Sequence, residues 1–370
     1  MIYLDYAATS PMSSEALQAY CEVAKRYYGN TASLHDAGGQ ANYFVEQARA
    51  LVAKKLGVCR DGVIFTGSGT EGNLIAILSL AMASKKGKHI VTSQAEHTSV
   101  HAALNTLEKI GYEVTKLPFQ EDGCISVVQL TEAIRKDTAL ITIQHVNSEI
   151  GSIQPVTEIA AIAKEANVFF HVDCVQSFCK VSTTTLGEQI DAITVSAHKI
   201  GGPKGCGAIY INPKIRVLPL TPGVTHERGL RGGTLDTPAI VAFSVAIERF
   251  LYERKHYEAL RQYLQNHLPK TCRIIENKEQ LPSICGLVME NIEGQYVLLK
   301  LNEAGICIST GSACDQQNES GTKAILSMGY TLEEARQFFR ISFGPTTSYE
   351  KLDKVIASLS ELESALNKVN

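Results

Sequence analysis

The stretch Val63-Ile64-Phe65-Thr66-Gly67-Ser68-Gly69-Thr70-Glu71-Gly72 joins a short apolar run to a glycine-rich segment that opens a helical pattern. The apolar run predicts a buried strand, and residues 72–84 predict a helix. Glycines let a backbone approach a phosphate, and a helix N-terminus supplies free N–H groups and a favourable dipole. We therefore predict a phosphate site here, with a turn that only caps the helix as the alternative.

Strand-like and helix-like segments alternate outward from this stretch, from about residue 60 to residue 212. Strands are predicted at 63–66, 89–93, 113–118, 139–145, 168–172, 192–196 and 208–211. Helices are predicted at 72–84, 100–110, 127–135 and 156–166. The strands are runs of Val, Ile and Phe with little polar alternation, which is typical of a sheet covered on both faces. This order predicts a mostly parallel α/β sheet.

The rhythm changes beyond the glycine-rich residues 229–234. Residues 237–268 predict one long helical segment, and residues 270–370 predict a small α+β domain. Its strands are predicted at 272–275, 286–289 and 339–343, and its helices at 295–304, 332–337 and 349–367.

Composition excludes several classes of protein. The chain has 370 residues, of which 45% are hydrophobic and 20% charged, as in ordinary globular proteins. Its net charge of −3 leaves no basic excess, so nucleic acid is not an expected partner. No apolar run approaches the roughly 18 residues of a membrane span, and no secretory signal opens the chain. The 10 cysteines form no CxxC pair, which predicts reduced thiols in the cytoplasm.

Two polar residues directly follow or end buried strand candidates. Lys199 lies just past the strand at 192–196, where ligands bind in α/β sheets, and a desolvated lysine can form a Schiff base with an aldehyde. Asp173 ends another strand, and a buried carboxylate needs a cationic partner such as a pyridinium nitrogen. A lysine, a carboxylate and a helix end for phosphate are the set that pyridoxal phosphate needs. A surface lysine in a glycine-rich turn is the alternative.

Two other patterns suggest different cofactors. Gly67–Gly72 also fits GxGxxG, and Glu96 follows at the distance of a dinucleotide fingerprint, so a nicotinamide-dependent dehydrogenase is a rival hypothesis. His97 and His101 have metal-ligand spacing, but no convincing third ligand accompanies them, so no metal is predicted. His97 could instead stack on a flat cofactor and move protons.

The small domain contains two further candidates. Cys314 lies in Ile308-Ser309-Thr310-Gly311-Ser312-Ala313-Cys314-Asp315, whose small and polar residues suggest an exposed thiol, although most such cysteines are inert. Arg340 lies within a strand pattern, so it should face a carboxylate, either on a substrate or on a core glutamate.

Taken together, these motifs resemble those of the NifS/IscS-type cysteine desulfurases, which are class V aminotransferases with the fold-type I pyridoxal phosphate architecture. The resemblance runs nearly end to end and rests on several motifs in family order. They are Tyr3–Pro11, Gly29-Asn30 with Ser33 and His35, Phe65–Glu71, Glu96-His97, His145–Gly151, Asp173 with Gln176, Ser196–Lys199, His226–Thr234, the Cys314 segment and Arg340–Gly344.

The resemblance implies a role for each matching residue. Lys199 would hold the cofactor and move protons, Asp173 would pair with the ring nitrogen, and Gln176 would bond the ring hydroxyl. His97 would stack on the ring. The implied phosphate ligands are Gly69, Thr70, Ser196 and His198, together with Thr234 of the second subunit of a homodimer. Asn147 and Arg340 would seat the substrate carboxylate, and Asn147 would also lie against the cofactor.

The implied reaction removes sulfur from L-cysteine, releases L-alanine and leaves a persulfide on Cys314 for an acceptor protein of an iron–sulfur or thiolation pathway. The implied fold is a large domain, residues 13–250, with a mixed, mostly parallel seven-stranded sheet covered by helices. Residues 1–12 and 251–370 would form the small α+β domain.

Some residues depart from the family pattern. They are Gly223-Val224-Thr225 in place of a glycine run, Ser10 in place of threonine, and a loop after Cys314 without the usual proline. These departures leave the identity of the sulfur-acceptor protein undetermined. A selenocysteine lyase, another class V enzyme and a sulfur carrier with lapsed catalysis are the remaining alternatives.

Overall fold

The computed structural model describes residues 1–183, 187, 189–310 and 322–366. The strands are β1 (Ile2–Tyr3), β2 (Val63–Thr66), β3 (His89–Ser93), β4 (Glu113–Leu117), β5 (Thr138–Gln144), β6 (Phe169–Asp173), β7 (Ala192–Ser196), β8 (Gly207–Ile211), β9 (Cys272–Ile274), β10 (Ile284–Met289), β11 (Ile306–Cys307) and β12 (Phe338–Ser342). The helices are α1 (Ser14–Arg26), α2 (Asp36–Leu56), α3 (Gly69–Ala83), α4 (Thr98–Glu108), α5 (Val127–Ala133), α6 (Val156–Glu165), α7 (Thr237–Arg249), α8 (Arg254–His267), α9 (Gly294–Glu303), α10 (Lys323–Ser327), α11 (Leu332–Arg336) and α12 (Tyr349–Leu366).

The central element is a seven-stranded sheet in the order β2-β8-β7-β6-β5-β3-β4. Strand β8 runs antiparallel to both of its neighbours, and the other pairs are parallel. The prediction of a mixed, mostly parallel sheet is confirmed. Parallel strands end at one edge, so the segments that follow β5, β6 and β7 are brought together there.

Helices cover both faces of this sheet. Along β2, Val63 and Phe65 pack into one apolar core with α2, α6 and α7, while Ile64 packs into a second core with α3 and α4. Successive strand residues point to opposite faces, so a strand buried on both sides needs apolar residues at every position. This is the physical reason for the uninterrupted apolar runs in the sequence.

A second, antiparallel sheet has the order β12-β10-β9, and β1 pairs in parallel with β11. Leu4 shares an apolar core with residues of α8, α9, α12 and these strands. The N-terminal segment therefore packs with the C-terminal third of the chain, as the proposed small domain requires. The boundaries at residues 12 and 250 stay a prediction.

The single helix predicted at 237–268 is wrong, because the chain leaves the helix between α7 and α8. Phe250 has extended backbone angles, and Tyr252 stacks on Tyr257 while its hydroxyl bonds Ser283 Oγ at 3.0 Å. These contacts hold the residues between α7 and α8 against the segment that leads into β10. None of the described helices is long and apolar enough to cross a membrane.

Candidate active site

A cavity of about 200 Å³ opens at the sheet edge where β5, β6 and β7 end and α3 begins. Its walls include most of the site residues that the sequence predicted. These are Gly69, Thr70, His97, Asp173, Gln176, Ser196, His198, Lys199 and Arg340. The cavity thus collects residues from both sheets and from segments up to 333 positions apart, Ala7 to Arg340.

The glycine-rich loop forms one wall of the cavity. Ser68 caps α3 by accepting a hydrogen bond from Glu71 N at 3.1 Å, so the helix begins at Gly69 rather than at Gly72. A Cβ at Gly69 would lie 2.8 Å from Val175 Cγ2, so only glycine fits there without displacement. Ser196 Oγ is buried without a hydrogen-bond partner. An oxygen-rich group at this helix end would accept hydrogen bonds from the free N–H groups of α3 and from the Ser196 hydroxyl.

His198 lies next to this wall and is held through Nδ1, 3.1 Å from Thr9 Oγ1. Burial, and then the nearby charges of Lys199 and Lys204, lower the pKa of His198 to about 4. The ring is therefore neutral near pH 7 and can contribute a hydrogen bond without a full charge.

Lys199 and Asp173 face the same cavity from adjacent strand ends. Lys199 ends a short 3-10 turn after β7, and its Nζ donates to Ala8 O at 2.8 Å and to Ala7 O. Asp173 Oδ1 accepts from Val175 N at 2.9 Å. Gln176 Nε2 donates to Ala7 O at 2.7 Å, whereas its buried Oε1 lacks a partner.

Arg340 is 2% exposed and extends from β12 into the cavity wall. Its Nη2 donates to Asp5 Oδ1 at 2.8 Å and its Nη1 to Ser148 O at 2.7 Å, while Nε is buried without a partner. Its carboxylate partner within the chain is thus Asp5, so the alternative of a core glutamate is wrong, and the role toward a substrate carboxylate stays a prediction. The unpaired Nε leaves one donor for a second acceptor.

Asn147 does not line the cavity, although its neighbours Val146 and Ser148 do. Its Oδ1 accepts from Glu149 N and Ile150 N, both at 2.9 Å, and its Nδ2 donates to Ala95 O at 3.3 Å. The side chain thereby shapes the turn that carries Ser148 toward Arg340.

The segment that carries Thr234 is tied to the free edge of β2 by a buried ion pair. Glu227 accepts from Arg49 Nη2 at 2.7 Å and from Phe65 N, while Arg49 Nη1 donates to Val63 O at 2.8 Å. Thr234 itself is exposed and does not line this cavity. Cys314 lies outside the described residues.

Three polar cavity residues were missed by the sequence analysis, Asn73, Ser99 and Gln144. Asn73 lies among apolar residues of α3, where asparagine is unfavourable. This mismatch was the only feature of the sequence that could have indicated a functional role for Asn73. Ser99 lies two residues after His97, and its hydroxyl is 2.7 Å from His97 Nδ1.

Glu96 cannot serve as the ribose ligand of a dinucleotide site. It is 1% exposed and accepts from Ser93 Oγ at 2.6 Å and Gln144 N at 2.9 Å. His101 Nε2 lies 3.2 Å from Gln94 O, so its ring has a structural contact. Within the described ranges, no group of three metal-ligating side chains is present.

Comparison with known proteins agrees with this geometry. The model of the family "Aminotransferase class-V" matches residues 2–355. The putative cysteine desulfurase NifS of Bacillus subtilis (strain 168) is 41% identical over 98% of the chain and 94% of its own length. The cysteine desulfurase IscS of Dictyoglomus turgidum is 35% identical over 100% and 96%. A solved structure described as SspA in complex with cysteine superposes with a TM-score of 0.84 at 34% identity, covering 94% of this chain and 100% of its own.

The chain therefore belongs to the class V aminotransferase family. Within that family it is of the NifS/IscS cysteine desulfurase type, since both full-length relatives carry those names. This confirms the predicted family and sets aside the dehydrogenase hypothesis.

Proposed function

We propose that this chain is a pyridoxal-phosphate-dependent cysteine desulfurase. The observation that carries the proposal is the set of unsatisfied buried atoms around one small cavity, Ser196 Oγ, Gln176 Oε1 and Arg340 Nε, next to Lys199 and Asp173. Buried polar groups are normally paired, so unpaired ones that surround a cavity favour a polar ligand.

These residues fit pyridoxal phosphate. Its phosphate would lie at the start of α3 beside Gly69 and Thr70, where Ser196 Oγ and the neutral His198 ring supply donors. Asp173 would accept from the ring nitrogen, Gln176 would meet the ring hydroxyl, and His97 would lie against the ring. When bound, the cofactor supplies an aldehyde for the substrate amine and a ring that withdraws electrons.

Lys199 is the proton carrier of the proposal. Its Nζ is held by two backbone carbonyls, Ala7 O and Ala8 O, so the amine is positioned at the cavity wall. Nζ would hold the cofactor aldehyde and would take the α-proton of L-cysteine. Arg340 orients the substrate carboxylate through Nε, and the turn shaped by Asn147 holds Ser148 against Arg340 Nη1.

Cys314 is the proposed sulfur acceptor. Its thiolate forms an S–S bond to the substrate sulfur as the substrate Cβ–S bond breaks, and the electron pair of that bond stays on Cβ. Cβ then takes a proton and Lys199 Nζ returns one to Cα, so that L-alanine leaves and Cys314 carries a persulfide. The persulfide sulfur passes to an acceptor protein of an iron–sulfur or thiolation pathway.

We further propose a cytoplasmic homodimer in which Thr234 completes the phosphate site of the second subunit. The exposed position of Thr234, on a segment anchored through Glu227, supports this arrangement. The nine described cysteines are free, which fits a reducing compartment.

The test is alanine release from L-cysteine in the presence of a reductant and pyridoxal phosphate. We expect wild type and Cys59→Ala, a control at an exposed cysteine, to release alanine, and Cys314→Ala to release almost none. A trapped persulfide should map to Cys314 by mass spectrometry. Full persulfide formation on Cys314→Ala would contradict the assignment of the nucleophile. Alanine from selenocysteine but not from cysteine would replace the proposal with a selenocysteine lyase.

A further inference from the structure

A continuous hydrogen-bond chain joins the two residues that would flank the cofactor ring. Asn73 Nδ2 lies 2.7 Å from Asp173 Oδ2 and 2.9 Å from Ser99 Oγ. Ser99 Oγ lies 2.7 Å from His97 Nδ1, and Ser99 N donates to the same nitrogen at 3.2 Å. One amide group on α3 thus connects the end of β6 to the start of α4.

The chemistry of the partners decides the direction of every bond in this chain. An ionised carboxylate only accepts, so Asn73 must present its NH₂ group to Asp173. The second hydrogen of that group then points to Ser99 Oγ, which accepts it. Ser99 is left with its own hydroxyl proton, which it donates to His97 Nδ1.

Ser99 N–H also points at His97 Nδ1, at 3.2 Å, so this nitrogen is an acceptor and the Ser99 hydroxyl donates to it. The backbone contact is also the N-terminal cap of α4, with the His97 side chain accepting from the helix backbone. A neutral imidazole that accepts at Nδ1 carries its proton on Nε2. The chain thus assigns one tautomer to His97.

The cost of placing Asn73 here suggests that its role is not structural. Asn73 is 1% exposed in the middle of an apolar helix face, and its Oδ1 is buried without a partner. An unsatisfied buried acceptor is destabilising, and asparagine is a poor residue for a helix interior. Departures of this kind are expected at functional sites.

We propose that Asn73 is a positioning residue that holds Asp173 and, through Ser99, fixes the Nε2–H tautomer of His97. This inference rests on the proposed function, because it places Asp173 at the nitrogen of the cofactor ring and His97 against the face of the same ring. Asn73 would then align both residues with a single planar group, and its two branches can be separated by mutation.

The test compares Asn73→Ala, Asn73→Leu and Ser99→Ala with Ser79→Ala. Ser79 is the matched control, a buried polar residue on α3 whose Oγ has no partner. Asn73→Leu keeps the number and branching of the side-chain heavy atoms and so protects against collapse of the site. Two quantities are measured, the dissociation constant of pyridoxal phosphate and the imidazole ¹⁵N shifts of His97, assigned with a His97→Gln sample.

Both Asn73 variants should weaken cofactor binding by about tenfold or more, the effect of losing a hydrogen bond to a charged group. Their His97 ¹⁵N shifts should move toward a mixture of tautomers, because only the longer contact from Ser99 N, at 3.2 Å, then still favours the Nε2–H form. Ser99→Ala should change the ¹⁵N shifts and leave cofactor affinity within about threefold, since Asp173 keeps its Asn73 donor. Ser79→Ala should change neither quantity.

The inference is overturned if the Asn73 variants match Ser79→Ala, or if wild-type His97 carries its proton on Nδ1. Neither measurement requires turnover of cysteine. Wild type that binds the cofactor but releases no alanine would refute the proposed function alone. If wild type binds no pyridoxal phosphate, the proposed cofactor fails, and the tautomer of His97 in the free protein still tests the branch through Ser99.

Discussion

Strand β6 carries two buried polar networks on the same face, two residues apart, and they differ in completeness. His171 is fully buried, with Nδ1 2.8 Å from Thr142 Oγ1 and Nε2 2.9 Å from Thr194 Oγ1. Every polar atom of that ring is paired with a neighbouring strand. Asp173, at the end of β6, belongs to the chain through Asn73 and borders a cavity with several unpaired atoms.

The comparison distinguishes polar groups that stabilise the sheet from polar groups that are positioned to bind a ligand. A satisfied network in a low-dielectric interior can rigidify a core, whereas an incomplete one is costly unless something binds. The complete network of His171 and the incomplete network of Asp173 are only two residues apart on β6. Between them the sheet ends and the cavity begins. Burial alone therefore does not distinguish the two sets, but the presence of unpaired atoms does.

The largest expected effect is a loss of activity when a residue of the cavity is replaced. Lys199→Ala should reduce alanine release by on the order of 10³-fold or more, because the amine that moves the proton is lost. The thermal midpoint should stay close to that of wild type, since Lys199 Nζ lies at the wall of the cavity and donates to the backbone carbonyls of Ala7 and Ala8. Retention of more than a tenth of the activity would contradict the role of Lys199.

The opposite pattern is expected at the complete network. His171→Ala should lower the free energy of unfolding by about 2–4 kcal/mol, through a cavity and two unpaired threonine hydroxyls. In folded protein, kcat should change by no more than about threefold, because His171 does not line the active-site cavity. Urea unfolding and steady-state kinetics measure the two effects. A kcat loss as large as that of Lys199→Ala would show that the His171 network also contributes to catalysis.

A smaller effect should appear as a pH dependence of stability. Burial lowers the pKa of His171 to about 4, whereas a histidine ordinarily titrates near 6.5. Between these values the unfolded chain binds a proton that the folded protein does not. Stability that is present above pH 6.5 is therefore lost as the pH falls toward 4, with a slope of at most about 1.4 kcal/mol per pH unit for this residue.

The measurement is urea unfolding of wild type and His171→Gln at several values in this pH window. The glutamine variant should show a shallower slope, although its stability at pH 7 is lower. His145 and His198 also have pKa values lowered to about 4 by burial, so wild type and variant both keep a residual slope. Equal slopes in the two proteins would show that His171 does not remain neutral in the folded state.

Much of this site could be predicted from the sequence, because the sequence indicates where the strands end. Asp173 and Lys199 each follow an apolar run, and parallel strands necessarily bring such residues to one edge. Asn73 and Ser99 could not be found in this way, because a polar residue on a helix usually faces solvent. Their importance comes from the packing of α3 and α4 against β6, which no local pattern records. The pairing of Arg340 with Asp5 is likewise a contact across 335 positions.

The alternation of strands and helices, the glycine-rich turn before α3 and the family can all be inferred from the amino-acid sequence, because periodicity, glycine and motif order are local properties. Which polar atoms are satisfied depends on the folded arrangement. It places Asn147 in its own turn, ends α7 at Arg249, and leaves Ser196 Oγ and Arg340 Nε buried beside a cavity. The physical reason is that hydrogen-bond satisfaction depends on groups from distant segments, whose geometry exists only once both cores have formed.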